Sequence, residues 1–274
     1  MRNWATLTPL GVKCTSGSLP TFPISITLLS VRDITILLLR SPNIEKQWIV
    51  SQIVFMICTT IVKGQAVTFD LTRPTDLSIP ITECDPANAF FLPDATFTPF
   101  RAGDFVGSIE EGGPVRCDVV TLAPHGNGTH TECVGHILGK GYSLLVSLTQ
   151  PIVTSRLVSI SLEPTNTVTR QALLDAWDTV GEEALIIRTL PNSADKRSRR
   201  WSGNNPPYIE PDAMKVIVER GVQHLLVDLP SVDPEEDAGA LIAHHIFWQA
   251  PQAPRINCTI TELIYVPDEL RDGR

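Results

Sequence analysis

The sequence lacks the cysteine patterns that mark redox motifs and disulfide-stabilised scaffolds. Its six cysteines include no CxxC pair, and their spacing forms no recognisable disulfide framework. A chain of 274 residues can also build a hydrophobic core without covalent cross-links. We therefore expect mostly free thiols and a reducing, cytoplasmic compartment.

Positive charge is also scarce. Charged residues make up 19% of the chain and the formal net charge is −8, so a phosphate backbone would be repelled and no nucleic-acid partner is expected. One local exception is a basic run followed by Trp201. We expect this run to be a solvated loop, because short clusters of like charge usually face water. Its members are Lys196, Arg197, Arg199 and Arg200.

No long uninterrupted apolar run is present either. The stretch 24–39 is broken by Arg32 and Asp33, and the stretch 49–62 is too short to span a bilayer comfortably, so stable membrane insertion is not expected. Residues 46–66 nevertheless resemble a signal peptide placed at an internal position. We predict a non-catalytic extension over 1–66 and one domain over 67–274, with secretion or a periplasmic location as the alternative if 46–66 acts as a signal.

Strand and helix patterns alternate from residue 67 onward, which indicates an α/β or α+β domain. The predicted strands are 67–71, 117–122, 144–153, 156–162, 184–189, 222–229 and 257–266. The predicted helices are 169–177 and 211–220, and a further helix start is predicted at 233–236.

Three of the six histidines lie within a glycine-rich segment that follows a predicted strand. His130 and Glu132 are two residues apart, so in an extended backbone both side chains point to one face. Imidazole together with carboxylate suits Zn²⁺, Mn²⁺ or Fe²⁺. His136 is a candidate further ligand or general base, and surface histidines on a glycine-rich turn are the simpler alternative.

A second cluster lies near the C-terminus and contains His244, His245 and Glu262. Glu262 falls inside an apolar strand pattern, where a carboxylate is costly unless it is paired or bound to a metal. The alternative is a glutamate on an edge strand that faces water. His224, within another predicted strand, is interpreted as structural.

These motifs resemble the cyclase family, which includes bacterial-type kynurenine formamidases and isatin hydrolases. The segment 128–132 followed by His136 is similar to the family signature HxGTHxDxPxH. Residues 226–234, Leu-Val-Asp-Leu-Pro-Ser-Val-Asp-Pro, are similar to its IDTPSVDP segment. Further matches, in the family's order, are 70–74, 79–81, 243–245 and 261–263, so the resemblance extends over about 67–266.

The resemblance implies a swivelling β/β/α cyclase-like fold, of the α/β class, with a mixed sheet, a few helices and a metal site near a subunit interface. It implies a hydrolase that acts on an amide, lactam or N-formyl carbonyl of a small molecule, such as an arylformamidase of tryptophan catabolism, and a dimer or tetramer. The implied cofactor is one or two divalent ions, Zn or Mn. The implied metal ligands are His125, His130, Glu132, His244 and Glu262, with His136 as the proton shuttle.

Three departures from the signature bear on these expectations. Its first histidine should fall at Gly126, one position after His125, which would then need a local bulge to reach the ion. Glu132 replaces an aspartate and Val134 replaces a proline. By family analogy, residues near 228–233 lie in the same region, although a helix cap is the simpler role for Asp233.

Two other functions stay open. One is a lyase or cyclising enzyme on the same metal site, and the other is a metal-binding or ligand-binding relative without catalysis. A serine hydrolase is disfavoured, because the sequence contains no GxSxG elbow.

Overall fold

The computed structural model describes residues 29–31, 34–36, 57–62, 64–72, 74–150 and 152–273. Residues 1–28 and 37–56 of the predicted extension lie outside these ranges, and so does the first part of the signal-like segment 46–66. The division of the chain at residue 66 stays a prediction.

The described residues form short strands and short helices. The strands are β1 Leu29–Val31, β2 Ile34–Ile36, β3 Ile57–Val62, β4 Gln65–Asp70, β5 Thr96–Pro99, β6 Arg101–Ala102, β7 Phe105–Val106, β8 Asp118–Thr121, β9 His130–Cys133, β10 Ser155–Ser161, β11 Thr167–Val168, β12 Ala184–Leu190, β13 Tyr208–Ile209, β14 His224–Val227 and β15 Thr259–Glu262. The helices are α1 Pro124–Asn127, α2 Gly135–Leu138, α3 Leu144–Ser147, α4 Arg170–Ala176, α5 Pro211–Glu219 and α6 Ile242–Trp248, and a 3₁₀ turn spans Ala194–Arg197.

A five-stranded mixed sheet in the order β10-β12-β14-β15-β9 forms the centre of the fold. The first four strands of this order are parallel, and β9 pairs antiparallel with β15 at one edge. Parallel strands need crossover connections, which α4 and α5 provide between β10, β12 and β14. The mixed sheet with a few helices confirms the predicted α/β class.

One large core lies between the sheet and three helices, α4, α5 and α6. Its largest fully buried side chains include Trp177, Trp248 and Phe247. Helix α5 begins with Pro211, whose fixed φ suits the first turn, and Gly221 follows its end at a φ of 80°. These signals explain why the helix predicted over 211–220 is confirmed.

Two sequence predictions of local structure are wrong. The described residues of the predicted strand 144–153 form no strand: they begin with helix α3, in which Leu145 is 93% exposed. A short apolar run does not by itself distinguish a strand from a helix, which explains the error. No helix starts at 233–236, because the Asp233 carboxylate instead accepts hydrogen bonds from backbone N–H groups of α6, ten and eleven residues later.

The basic run is not wholly solvated. Lys196 is 4% exposed, and its ammonium lies 2.9 Å from the buried Asp228 carboxylate, so the solvated interpretation is wrong for this residue. Arg199 stacks over the ring of Trp201, with its guanidinium 4.7 Å from the ring centroid. Charge clustering alone did not reveal that Asp228, distant in sequence, accepts one member of the run.

Within the described ranges, no helix is both long enough and apolar enough to cross a membrane. Cys58, Cys117, Cys133 and Cys258 are free thiols, as expected for most of the cysteines, whereas Cys84 is disulfide-bonded.

Candidate metal centre

The pairing of β9 with β15 brings the two predicted clusters together. In this antiparallel register His130 lies opposite Glu262, and Glu132 lies opposite Ile260. Side chains of directly opposed residues share a face, and so do residues two apart, so His130, Glu132 and Glu262 all project to one side of the sheet. The ring nitrogen Nε2 of His130 is 3.4 Å from Glu262 Oε2.

Glu262 does not face water on an edge strand. Strand β15 is paired on both sides, by β14 and by β9, and Glu262 is 3% exposed. Its Oε1 accepts a hydrogen bond of 2.9 Å from the backbone N–H of Val232. The water-facing alternative is therefore wrong, and the carboxylate is held inside the protein.

His125 reaches the same site through a helical turn rather than a bulge. It lies in α1, and its Nδ1 is 3.1 Å from His130 Nε2 and 3.6 Å from Glu132 Oε2. At Gly126, where the signature has its histidine, a Cβ would lie 2.9 Å from the Ala89 carbonyl oxygen and 2.9 Å from Leu92 Cδ1. Close packing thus excludes a side chain at the signature position, and the preceding residue carries the imidazole instead.

His136 approaches from the other end of β9. It belongs to α2, and its Nδ1 is 3.4 Å from Glu132 Oε2. Val134, which stands at the proline position of the signature, is fully buried in the core between these two residues. A strand that turns directly into a helix therefore places Glu132 and His136 beside each other.

His244 completes the group from α6. Its Nε2 lies 2.9 Å from Glu132 Oε1 and 3.8 Å from Glu262 Oε1. His245 is not part of the group, because its Nδ1 lies 3.1 Å from the Ala250 carbonyl oxygen. Of the His-His pair, the structure brings only His244 to the predicted site.

Asp233 is a residue of this site whose role the sequence did not reveal. Its Oδ2 is 2.5 Å from His244 Nδ1, and its two oxygens also accept the backbone N–H groups of Ala243 and His244. A carboxylate on the second ring nitrogen fixes the orientation and tautomer of a ligand histidine. Contrary to expectation, Asp233 therefore does not cap a helix of its own segment but accepts N–H groups in the first turn of α6. The similarity of 226–234 to the family segment was the available signal for this region.

The donor atoms form two overlapping groups. His125, Glu132 and His136 make one, and His130, Glu132 and Glu262 make the other, with the ligand atoms of each group within 4.8 Å of one another. Glu132 belongs to both. Its Oε2 is buried and has no hydrogen-bond partner among the described residues, although two imidazoles lie 3.4 and 3.6 Å away.

This donor set fits a divalent cation. A buried carboxylate oxygen without a donor is costly, and a bound cation would offset that cost. Imidazole and carboxylate without a thiolate suit Zn²⁺ or Mn²⁺ rather than a cysteine-bound ion.

The electrostatics of the site also favour positive charge at its buried end. Burial disfavours a charged His244 ring, but hydrogen bonds to Asp233 and Glu132 outweigh burial and raise its pKa to about 10. Burial likewise opposes charge on His130, and the hydrogen bond to Glu262 reverses the effect, so that its pKa is raised. A metal ion can replace these protons, since the same carboxylates attract either.

The two outer histidines have the opposite tendency. Burial lowers the pKa of His125, and the neighbouring His130 and His136 lower it further. Burial and the nearby His244 lower the pKa of His136. Both rings are therefore neutral near pH 7, with a nitrogen lone pair available for a cation or for a proton.

The site opens to solvent through a cavity of about 250 Å³. Its walls include His125, His136, Tyr142 and Leu144. A larger cavity, about 300 Å³, lies near Lys196 and Trp201 and has no histidine in its lining. Of these two cavities, only the smaller one contains residues of the two donor groups.

The sequence model of the Cyclase family matches residues 69–234, more than half of the 274-residue chain. A kynurenine formamidase of Bacillus anthracis is 30% identical over 155 residues, which cover 54% of this chain and 66% of that protein. The match therefore spans slightly less than two thirds of the relative's own length.

Two solved structures share the fold. One is described as a potential metal-dependent hydrolase with cyclase activity, at a TM-score of 0.53 and 12% identity, covering 73% of this chain and 84% of that one. The other is described as a predicted metal-dependent hydrolase from Bacillus stearothermophilus, at a TM-score of 0.52 and 12% identity, covering 73% and 85%. With the family match, the shared fold and the ordered motifs in agreement, the chain belongs to the cyclase family.

Proposed function

We propose that this chain is a metal-dependent hydrolase that cleaves the C–N bond of an amide, lactam or N-formyl group in a small molecule. The observation that carries the proposal is Glu132, a buried carboxylate shared by two groups of candidate ligands, with one oxygen that has no hydrogen-bond donor among the described residues. The relative from Bacillus anthracis supports an arylformamidase, with N-formylkynurenine as the first substrate to test.

The candidate ligands would bind either two cations, one for each donor group, or a single cation that both groups share. His130, Glu132 and Glu262 would hold the inner ion, with His244 beside the shared carboxylate. The other donor group would hold an outer ion through His125 and Glu132, and the adjacent His136 would stay available for proton transfer. A bound divalent cation supplies a water of lowered pKa and polarises the substrate carbonyl.

Residues of the chain itself would orient the metal ligands and transfer the proton during hydrolysis. Asp233 holds the His244 ring, and the Val232 N–H holds Glu262, so neither side chain needs to reorganise on binding. We propose His136 as the proton shuttle, because its ring is neutral, half-buried and at the cavity wall. A positioned general base contributes about 10²- to 10⁴-fold to a rate.

His130→Ala is expected to abolish metal binding by the inner group, and hydrolysis with it, because His130 is one of the three donors of that group. His136→Ala is expected to retain much of the metal but to lose about 10²- to 10⁴-fold in kcat. Metal content by elemental analysis and turnover of N-formylkynurenine, other formyl-amides and lactams measure the two effects. His245→Ala, one residue from His244 but outside the site, is the control and should keep both. Undiminished turnover in both site variants would contradict the mechanism. Loss of metal in His136→Ala would show that His136 is a ligand.

Two alternative functions are compatible with the same site. A lyase or cyclising enzyme would release a product without addition of water, which mass analysis in H₂¹⁸O distinguishes. A metal-binding relative without catalysis would bind the ion and turn over no substrate. The reach of His125 into the site favours an intact catalytic site over a decayed one, because the displaced histidine still contacts His130.

We also propose a homo-oligomer, dimer or tetramer. Helix α3 adjoins the cavity and exposes Leu145 and Val146, at 93% and 61%, with Leu148 and Ile152 also exposed. Contiguous apolar surface of this kind usually marks an association site. Light scattering should give at least a dimer, and Leu145→Asp should shift the mass toward a monomer. A monomeric wild type would contradict the proposal.

The absence of a nucleic-acid partner and a cytoplasmic location stay predictions.

A further inference from the structure

We infer that the buried pair Lys196 and Asp228, outside the two donor groups, positions Glu262 and His244 through the loop of residues 228–233. The inference rests on the proposed function only in naming the ion that these residues would hold. Lys196 and Asp228 are positioning residues in this account, since neither touches the candidate ligand atoms.

The pair lies where β12 and β14 end, and its hydrogen bonds connect the two strands there. Asp228 is 1% exposed and Lys196 is 4% exposed. The Lys196 ammonium lies 2.9 Å from Asp228 Oδ2 and 2.6 Å from the carbonyl oxygen of Thr189. The Asp228 carboxylate also accepts the backbone N–H and the hydroxyl of Thr189, each at 2.9 Å. These contacts fix the first residue of the loop to the neighbouring strand.

The other end of the loop holds the candidate ligands. Every residue from 228 to 233 is buried. Val232 donates its N–H to Glu262 Oε1 at 2.9 Å, and Asp233 Oδ2 lies 2.5 Å from His244 Nδ1. Between the two ends, the Leu229 carbonyl accepts the N–H of Leu263, the residue after Glu262. One six-residue segment thus joins the ion pair to two ligands that come from different elements.

Stability alone is a weak reason for such a pair. Buried ion pairs can often be replaced by apolar residues without loss of stability, and their best-attested role is to fix one arrangement of the chain. Burial raises the pKa of Asp228 and Lys196 opposes that rise, so without Lys196 the carboxylate would tend to take up a proton and release its hold. A shift of the loop would move the Val232 N–H and the Asp233 carboxylate together.

Lys196→Met removes the cation and keeps most of the side-chain volume. It leaves a buried carboxylate without its partner, so this variant is expected to be destabilised. A second variant, Lys196→Met combined with Asp228→Asn, removes both charges and preserves the shape. The matched control is Arg156→Met, which breaks the ion pair of Arg156 with Glu182, 2.7 Å long, on β10 at the edge of the sheet opposite to β9.

Two measurements test the inference. The first is amide hydrogen exchange of the metal-free protein, read by NMR at Val232 and His244, with Leu225 in β14 as an internal reference. The second is the dissociation constant for Zn²⁺ and Mn²⁺. We expect exchange at Val232 and His244 to accelerate in both pair variants while Leu225 is unchanged, and metal affinity to fall by about tenfold, the lower end of outer-shell effects. Arg156→Met should lower the melting temperature but change neither the amide exchange at Val232 and His244 nor the metal affinity.

Unchanged exchange at Val232 and His244 in the double variant, or equal changes in Arg156→Met, would overturn the inference even if the wild type binds metal. Faster exchange in a protein whose wild type takes up no metal would support the positioning role and reject the proposed function. Different results would therefore contradict the positioning role and the proposed function.

Discussion

Glu132→Gln is expected to remove cation binding from both halves of the candidate metal centre. The carboxylate belongs to both donor groups and also lies 2.9 Å from His244 Nε2. Glutamine keeps the shape but loses the negative charge, and its amide N–H₂ offers no lone pair to a cation. The loss of metal affinity should exceed the 10- to 100-fold that is typical of outer-shell residues, and hydrolysis should fall to background.

Calorimetric titration with Zn²⁺ and Mn²⁺ measures the effect, together with circular dichroism to show that the fold is retained. Glu269→Gln, the same change at an exposed position, is the control and should titrate as the wild type does. A Glu132→Gln protein that binds metal with unchanged affinity would show that the shared carboxylate is not a ligand.

Glu262→Gln is expected to have the second-largest effect and to report the number of ions. The glutamine oxygen can still accept the Val232 N–H, so the buried contact of 2.9 Å survives. The charge beside His130 is lost, which disables the inner group of His130, Glu132 and Glu262. The outer group of His125, Glu132 and His136 retains all of its donors.

Elemental analysis of wild type and Glu262→Gln therefore separates two arrangements. If two ions bind, the variant should lose one equivalent and keep the other. If one ion is shared by all the ligands, the variant should lose nearly all of its metal. Full retention of metal in Glu262→Gln would remove β15 from the site and contradict the two-segment design.

Local periodicity predicted part of the arrangement of the inner group, although its role as a metal site stays a prediction. His130 and Glu132 share a face in any extended backbone, and an apolar strand pattern around Glu262 made a buried carboxylate costly without a partner. The ordered motifs then joined the two segments. What neither periodicity nor composition contained was the antiparallel register that sets Glu262 opposite His130.

The remaining features depend on tertiary packing, which a single sequence does not reveal. His125 occupies the site because the backbone of Ala89 and the side chain of Leu92 leave no room for a Cβ at Gly126. Asp233 orients His244 across ten intervening residues, and Lys196 is buried because Asp228 accepts it. Helix α3 was mistaken for a strand, since an apolar run without a periodic pattern fits both.

The central claim is that side chains from β9, β15 and α6, with those of α1 and α2, form one site for a divalent cation. Equilibrium dialysis of the metal-free wild type against Zn²⁺ or Mn²⁺, followed by elemental analysis, tests it most directly. We expect saturable uptake of one or two equivalents of metal. A folded wild type that takes up no metal over the same range would contradict it, and with it the proposed hydrolase.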